Sequence, residues 1–159
     1  MEMALPKKIK SRLDALDARI IDALSVDARV TMSDLARATK MSGPSITERV
    51  RKLEASGVIR RFTIEVEPKM LGYTLEAIVR IKPRPGQLHQ VEKLIQNEPR
   101  FVACDKVTGE DCFIARLLLM TIEELDAILD GFHVRAETNT AIIKSSPVKQ
   151  RMPPLVIEE

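Results

Sequence analysis

Apolar residues follow two different rhythms along this chain. Up to about position 56 they recur every three or four residues, and from position 75 they crowd into short runs rich in Ile and Val. Leu13, Leu16, Ile20, Ile21 and Leu24 share one helical face, with Asp14, Asp17, Arg19 and Asp22 on the other sides, which predicts a first helix over 13–27. Thr31 with Asp34 three residues on is a capping-box-like start for a short helix over 32–39 that buries Leu35 and Ala36. Lys40 and Met41 form a tight turn. Ser42 then caps a third helix that tolerates Pro44 in its first turn and runs to about Ser56, where Gly57 stops it. One longer helix followed by two short ones around a tight turn is the helix-turn-helix pattern.

The third helix is two-sided. Ile46, Val50 and Leu53 form a buried seam, and the opposite face carries Pro44, Ser45, Glu48, Arg51 and Lys52, with Thr47 at its margin. Small hydrogen-bonding groups near the N-terminus and cations further along are the layout a major-groove helix needs. Ser42, Pro44, Ser45, Thr47, Glu48, Arg51 and Lys52 are therefore the expected DNA-binding residues. Ser45, Thr47, Glu48 and Arg51 are the candidates for reading bases. Glu48 can only accept, so a cytosine amino group is its best base partner, unless it pairs with Arg51 or Lys52 on its own helix. Val58 and Ile59 start an expected strand, and Arg60 and Arg61 follow as a wing or linker touching phosphate. Ile64 and Val66 alternating with Glu65 and Glu67 predict a half-exposed strand, closed by Pro68 and Gly72, at the hinge between domains.

Beyond the hinge the expected order is strand (75–82), helix (87–97), strand (101–107), a turn over 108–111, strand (111–119), a helix over 122–131 capped by Thr121, and strand (136–145). This β-α-β-β-α-β order is ferredoxin-like. Its helices cover one sheet face, and a second subunit is the simplest cover for the other. The fold class is thus α+β: a winged helix-turn-helix over 1–62, a linker over 63–73, a ferredoxin-like domain with a face left for oligomerisation over 74–150, and a tail over 151–159.

Charge sharpens this division. Residues 1–62 carry 13 Lys/Arg against 8 Asp/Glu, a net of +5, whereas residues 63–159 carry 12 against 15, a net of −3. A basic front half joined to a mildly acidic remainder is the footprint of a nucleic-acid module with a partner of another kind. Lys7, Lys8 and Lys10 add a basic arm. Aromatics are only 3%, too few for the stacking platforms of single-strand binders. No apolar run approaches about 18 residues, so no membrane span is expected. Cys104 and Cys112 form no CxxC pair and suit a reduced cytoplasm as small buried hydrophobes. No catalytic order, metal-spaced cluster or phosphate-cradling glycine loop is present, so no enzyme activity, metal or cofactor is expected.

The segment from Leu13 through the Pro-Lys-Met-Leu-Gly-Tyr stretch at 68–73 resembles the Lrp/AsnC family of leucine- and asparagine-responsive regulators. Asp27-Ala-Arg29 stands before the second helix and Asp34-Leu-Ala36 within it. Arg49-Val-Arg-Lys-Leu-Glu54 precedes Gly57-Val-Ile59. In the second half, Val107-Thr-Gly-Glu-Asp111 looks like the family's Val-Thr-Gly-x-x-Asp turn, and 137–149 looks like its last Thr-rich strand; the resemblance runs to about Lys149. It implies a transcriptional regulator on double-stranded DNA, a homodimer paired through its sheets and assembling further into tetramers or octamers. It also implies an amino acid or related effector held between dimers, which makes 74–150 an effector-binding domain as well and nominates Thr108, Gly109, Asp111, Thr138 and Thr140. Asp111 would receive the effector's ammonium, and backbone N–H groups around Gly109 its carboxylate. Cys112 stands where many members carry an aromatic residue.

Two rival readings share the architecture. Siroheme decarboxylases resemble this family but lean on pocket histidines, and the two here, His89 and His133, form no cluster. A sensor module without DNA binding is disfavoured by the basic front half and the polar face of the third helix.

Overall fold

The computed structural model describes residues 13–157. The expected basic arm, with Lys7, Lys8 and Lys10, lies outside the described residues. The chain divides into two compact units, one of residues 13–64 with 150–157 and one of residues 65–149.

The first unit is a trihelical bundle. Helix α1 (Ala15–Val26) begins at a capping box in which Asp14 and Asp17 each accept from the other's backbone N–H. Helix α2 (Met32–Thr39) is capped by Thr31, whose hydroxyl accepts from the Asp34 N–H and donates to the Asp34 carboxylate. Lys40 closes α2 in the left-handed region at φ 58°, which turns the chain into α3 (Gly43–Ala55). Ser42 caps α3, and Gly57 follows its end at φ 76°, a conformation glycine adopts without steric cost. Ile20, Leu35 and Ile46, one from each helix, are fully buried at the centre, with Val50 and Leu53 extending the α3 seam. Leu155, from the tail, packs against this same core.

No strand forms over 58–67, so the expected wing and hinge strands are corrected. Ile59 donates to the Leu53 carbonyl and packs on the helical core. The residues after it run on without a ladder partner, leaving Phe62, Ile64 and Val66 exposed. Alternation alone does not make a strand; its N–H and C=O groups need a neighbouring chain. A 3-10 turn, Pro68–Leu71, follows and closes at Gly72.

The second unit is a four-stranded antiparallel sheet in the order β2-β3-β1-β4, built from β1 (Leu75–Pro83), β2 (Phe101–Lys106), β3 (Phe113–Leu119) and β4 (Ala136–Ile142). Helices α4 (Leu88–Asn97) and α5 (Glu123–Leu129) cover one face. Ala77, Val79 and Ile81 of β1 stand opposite Leu117, Ala115 and Phe113 of β3, and all six point into the helix-covered core with Val91, Ile95, Ile128 and Leu129. The intervening positions, among them Ile78, Arg80, Ile114 and Arg116, fall on the opposite face. There an ion pair joins Arg116 to Glu76 across β3 and β1.

Several boundaries shift by a residue or two, and three departures have a visible cause. β3 starts at Phe113 rather than 111, because Cys112 adopts φ 55° and breaks the extended run. β4 ends at Ile142 rather than 145, where its pairing with β1 ends. Thr121 does not cap α5: Ile122 is its N-cap residue and makes no side-chain cap bond. Glu124 instead takes the Met120 N–H.

Candidate nucleic-acid interface and effector hairpin

The seam of α3 fixes what its other face presents. With Ile46, Val50 and Leu53 buried, Ser42, Pro44, Thr47, Arg51 and Lys52 are exposed, and Ser45 and Glu48 are half-exposed beside them. The expected set thus lies together on or beside one face. Its hydroxyls are partly engaged. Ser42 accepts from the Ser45 N–H as the cap, and the Thr47 hydroxyl donates to the Gly43 carbonyl, leaving its oxygen lone pairs as acceptors.

The cations of α3 divide into three kinds. Arg49, which the sequence reading did not single out, leaves the polar face and reaches α1, where its guanidinium binds Asp14 and Asp17, each at 2.8 Å. Its signal was present in the helical spacing, since position 49 lies beside the buried seam, and Asp14 and Asp17 form a carboxylate pair at the start of α1. Arg51 pairs with Glu48 one turn earlier, Nε to Oε2 at 3.1 Å and a terminal nitrogen to Oε1 at 3.2 Å. That guanidinium holds the Glu48 carboxyl below its usual range, so the pair is ionised at neutral pH. Lys52 makes no ion pair among the described residues. Arg60 and Arg61 are likewise exposed and unpaired, in the unladdered segment after α3.

In the second unit, the β2–β3 hairpin places Thr108, Gly109 and Asp111 at one end of the sheet. Gly109 takes φ 125°, a conformation that side chains disfavour. The Phe113 N–H donates back to the Asp111 carbonyl at 2.6 Å, around Cys112. Asp111 is half-buried, and its carboxylate has no hydrogen-bond or ion-pair partner among the described residues. Glu110 beside it pairs with Lys82 of β1 at 3.6 Å.

Thr138 and Thr140 do not join this cluster within one chain. They stand opposite Ile81 and Val79 on edge strand β4, and β1 lies between β4 and the hairpin strand β3. Two strand spacings are about 10 Å. A cleft of about 150 Å³ in the same unit is lined by Glu92, Ile95, Gln96, Cys104, Lys106 and Phe113, none of them in the expected effector set. Cys104 is exposed on edge strand β2 rather than buried as expected. Partial desolvation, followed by the Asp105 and Glu92 carboxylates, still pushes its thiol pKa up, so it remains protonated. Among the described residues no group of three or more His, Cys, Asp or Glu is placed to hold a metal ion, and no helix is long and apolar enough to cross a membrane.

Comparison with known proteins agrees with this two-part anatomy. Residues 13–60 match the winged helix-turn-helix DNA-binding family, and residues 76–153 match the Lrp/AsnC ligand binding domain. The HTH-type transcriptional regulator LrpC of Bacillus subtilis is 33% identical over 134 residues, covering 84% of this chain and 93% of that protein. The HTH-type transcriptional regulator FL11 of Pyrococcus furiosus is 32% identical over 118 residues, covering 74% and 78%. The solved structure of B. subtilis LrpC superposes with a TM-score of 0.81 at 32% identity, over 87% of this chain and 99% of that one. A feast or famine regulatory protein from M. tuberculosis, solved as a complex with L-methionine, superposes with a TM-score of 0.74 at 25% identity, over 89% and 98%. With both of its units matched in order, this chain belongs to the Lrp/AsnC family of DNA-binding transcriptional regulators.

Proposed function

We propose that α3 enters the major groove of duplex DNA, that Ser45, Thr47 and Arg51 read base edges there, and that Ser42, Lys52, Arg60 and Arg61 hold phosphates. The observation that carries this reading is the single exposed polar face of α3, held in place by a fully buried seam on its other side. A homodimer, formed over the sheet face that α4 and α5 leave open, would present two such helices to half-sites about 34 Å apart. Dimers assemble further into tetramers or octamers. Phosphate contacts give most of the affinity and a steep salt dependence.

The same reading gives the hairpin an amino acid or related effector, in a reduced cytoplasm, with no enzymatic role. Asp111 supplies a half-buried carboxylate with no partner of its own for an ammonium group. The Gly109 backbone lies open to a carboxylate, since nothing stands within 4 Å of where its Cβ would be. Thr138 and Thr140 complete the site from another subunit, because two strand spacings separate them from the hairpin of their own chain. Effector binding acts as a switch by favouring one assembly over another, by about 1–3 kcal/mol for typical couplings.

The test begins with duplexes selected from a random library by the full-length protein. Arg51→Ala weakens binding to the selected duplex by about 1–3 kcal/mol and relaxes its sequence preference. Equal affinities of variant and parent at matched salt remove α3 as the reader. Asp111→Ala abolishes the response to an amino-acid panel in a gel-shift assay and leaves effector-free DNA binding intact.

A further inference from the structure

We infer that Glu48 is a specificity-determining residue that acts through Arg51: it holds the arginine by one edge, aims the other at guanine, and discounts its charge toward phosphate. The inference rests on the reading of α3 as the groove helix.

The geometry assigns each atom a task. A guanidinium carries five N–H groups in a plane. Glu48 takes the side-on edge, one oxygen on Nε and the other on a terminal nitrogen, at 3.1 and 3.2 Å. Of the three N–H groups that remain, two, one from each terminal nitrogen, form the end-on edge. That edge matches the O6 and N7 acceptors of guanine, the commonest specific arginine contact in the major groove. A free arginine on this face would present either edge, in many rotamers. The paired one presents a fork whose direction is already set, so less freedom is lost when it docks.

The electrostatics select in the same direction. Non-specific affinity for duplex DNA comes from cations meeting phosphates. The Glu48–Arg51 pair is neutral as a unit, so it gains little from a phosphate, and the Glu48 carboxylate is itself repelled by one. A guanine edge, neutral and rich in acceptors, asks only for two aligned N–H donors. Lys52, one position on and without an ion pair, supplies the non-specific term instead. The pair does little for the fold, since the side chains of Arg51 and Glu48 are 75% and 46% exposed and such pairs stabilise weakly. Glu48 thus has each oxygen engaged by Arg51, with only the remaining lone pairs left for a cytosine amino group.

The experiment compares the full-length parent with Glu48→Ala and Glu48→Gln on two probes at one salt concentration, a duplex selected by the parent and a scrambled duplex of the same length. Glu48→Ala is expected to bind the scrambled duplex several-fold more tightly and to lower the ratio of selected to scrambled affinity by about tenfold. Glu48→Gln, which removes the charge but keeps an acceptor for one N–H, is expected to fall between. Thermal midpoints stay with the parent's, which separates the effect from misfolding. An unchanged ratio overturns the proposal. So does a loss confined to the selected duplex with no gain on the scrambled one, which is the signature of Glu48 reading a base itself. Failure of the parent reading is separately visible: if Arg51→Ala binds the selected duplex as the parent does, α3 is not the reader.

Discussion

The helical unit and the sheet unit place their polar residues by opposite rules. In the helical unit the residues proposed to read bases come from one stretch, 42–52, which a single buried seam turns outward, and Arg60 and Arg61 follow soon after it. In the sheet unit the residues offered to an effector come from a hairpin and an edge strand with β1 between them. A helix gathers function from neighbours in sequence, whereas a sheet gathers it across strands and, where strands intervene, across chains. In the proposed reading the first kind of site is complete in one chain, whereas the second would draw on a partner subunit.

If the two units are as separate as their cores, damage to one spares the other. The largest effect is expected from Leu117→Ala. Leu117 is fully buried between the sheet and its helices, and its truncation costs about 2–5 kcal/mol. Hydrogen exchange should then rise across 75–142 and stay as it was across α1–α3; equal loss in both regions breaks the distinction. Arg49→Met is the converse test. It strips both ion pairs from α1 and leaves Asp17, whose side chain is only 15% exposed, without its cation. A loss of about 1–2 kcal/mol is expected, read as faster exchange in α1 and α3 alone.

The smallest effect is in acid. The Asp14 carboxyl lies below its ordinary value, chiefly because it accepts the Asp17 N–H and then because of Arg49. A carboxyl lowered in the folded state adds stability above its unfolded pKa, and that stability is lost as pH falls through the lowered value. The helical unit should therefore weaken below about pH 4, and Arg49→Met should weaken less steeply there. Glu48 and Glu124 are shifted in the same direction, so the difference between parent and variant is the quantity to follow. Parallel acid unfolding curves for the two proteins assign the Asp14 shift to the cap alone.

Periodicity was enough for the three helices of the first unit and the succession of strands and helices along the second, because Ile46, Val50 and Leu53, or Ala77, Val79 and Ile81, repeat at the spacing their element demands. It was misleading over 58–67, where Ile64 and Val66 alternate as a strand would but no strand among the described residues pairs with them. The cap at Thr121 was not legible either: Ile122 stands at the N-cap without a side-chain bond, and the Glu124 carboxylate takes the N–H of Met120, an arrangement that no local pattern discloses. Glu48 and Arg51 were recognisable as candidates, and the mutual orientation of their edges was not, since that depends on rotamers. Arg49 looked like one more surface cation until α1 was laid beside it.

The tail carries a consequence for connectivity. Because Leu155 packs on the trihelical core, the helical unit is built from two pieces of polypeptide, with the entire sheet unit spliced in between. The polypeptide therefore leaves the helical unit once and returns to it through its tail. A single protease cut within 65–73 should leave the two fragments held together by the Leu155 contact, and complete release requires that contact to open as well.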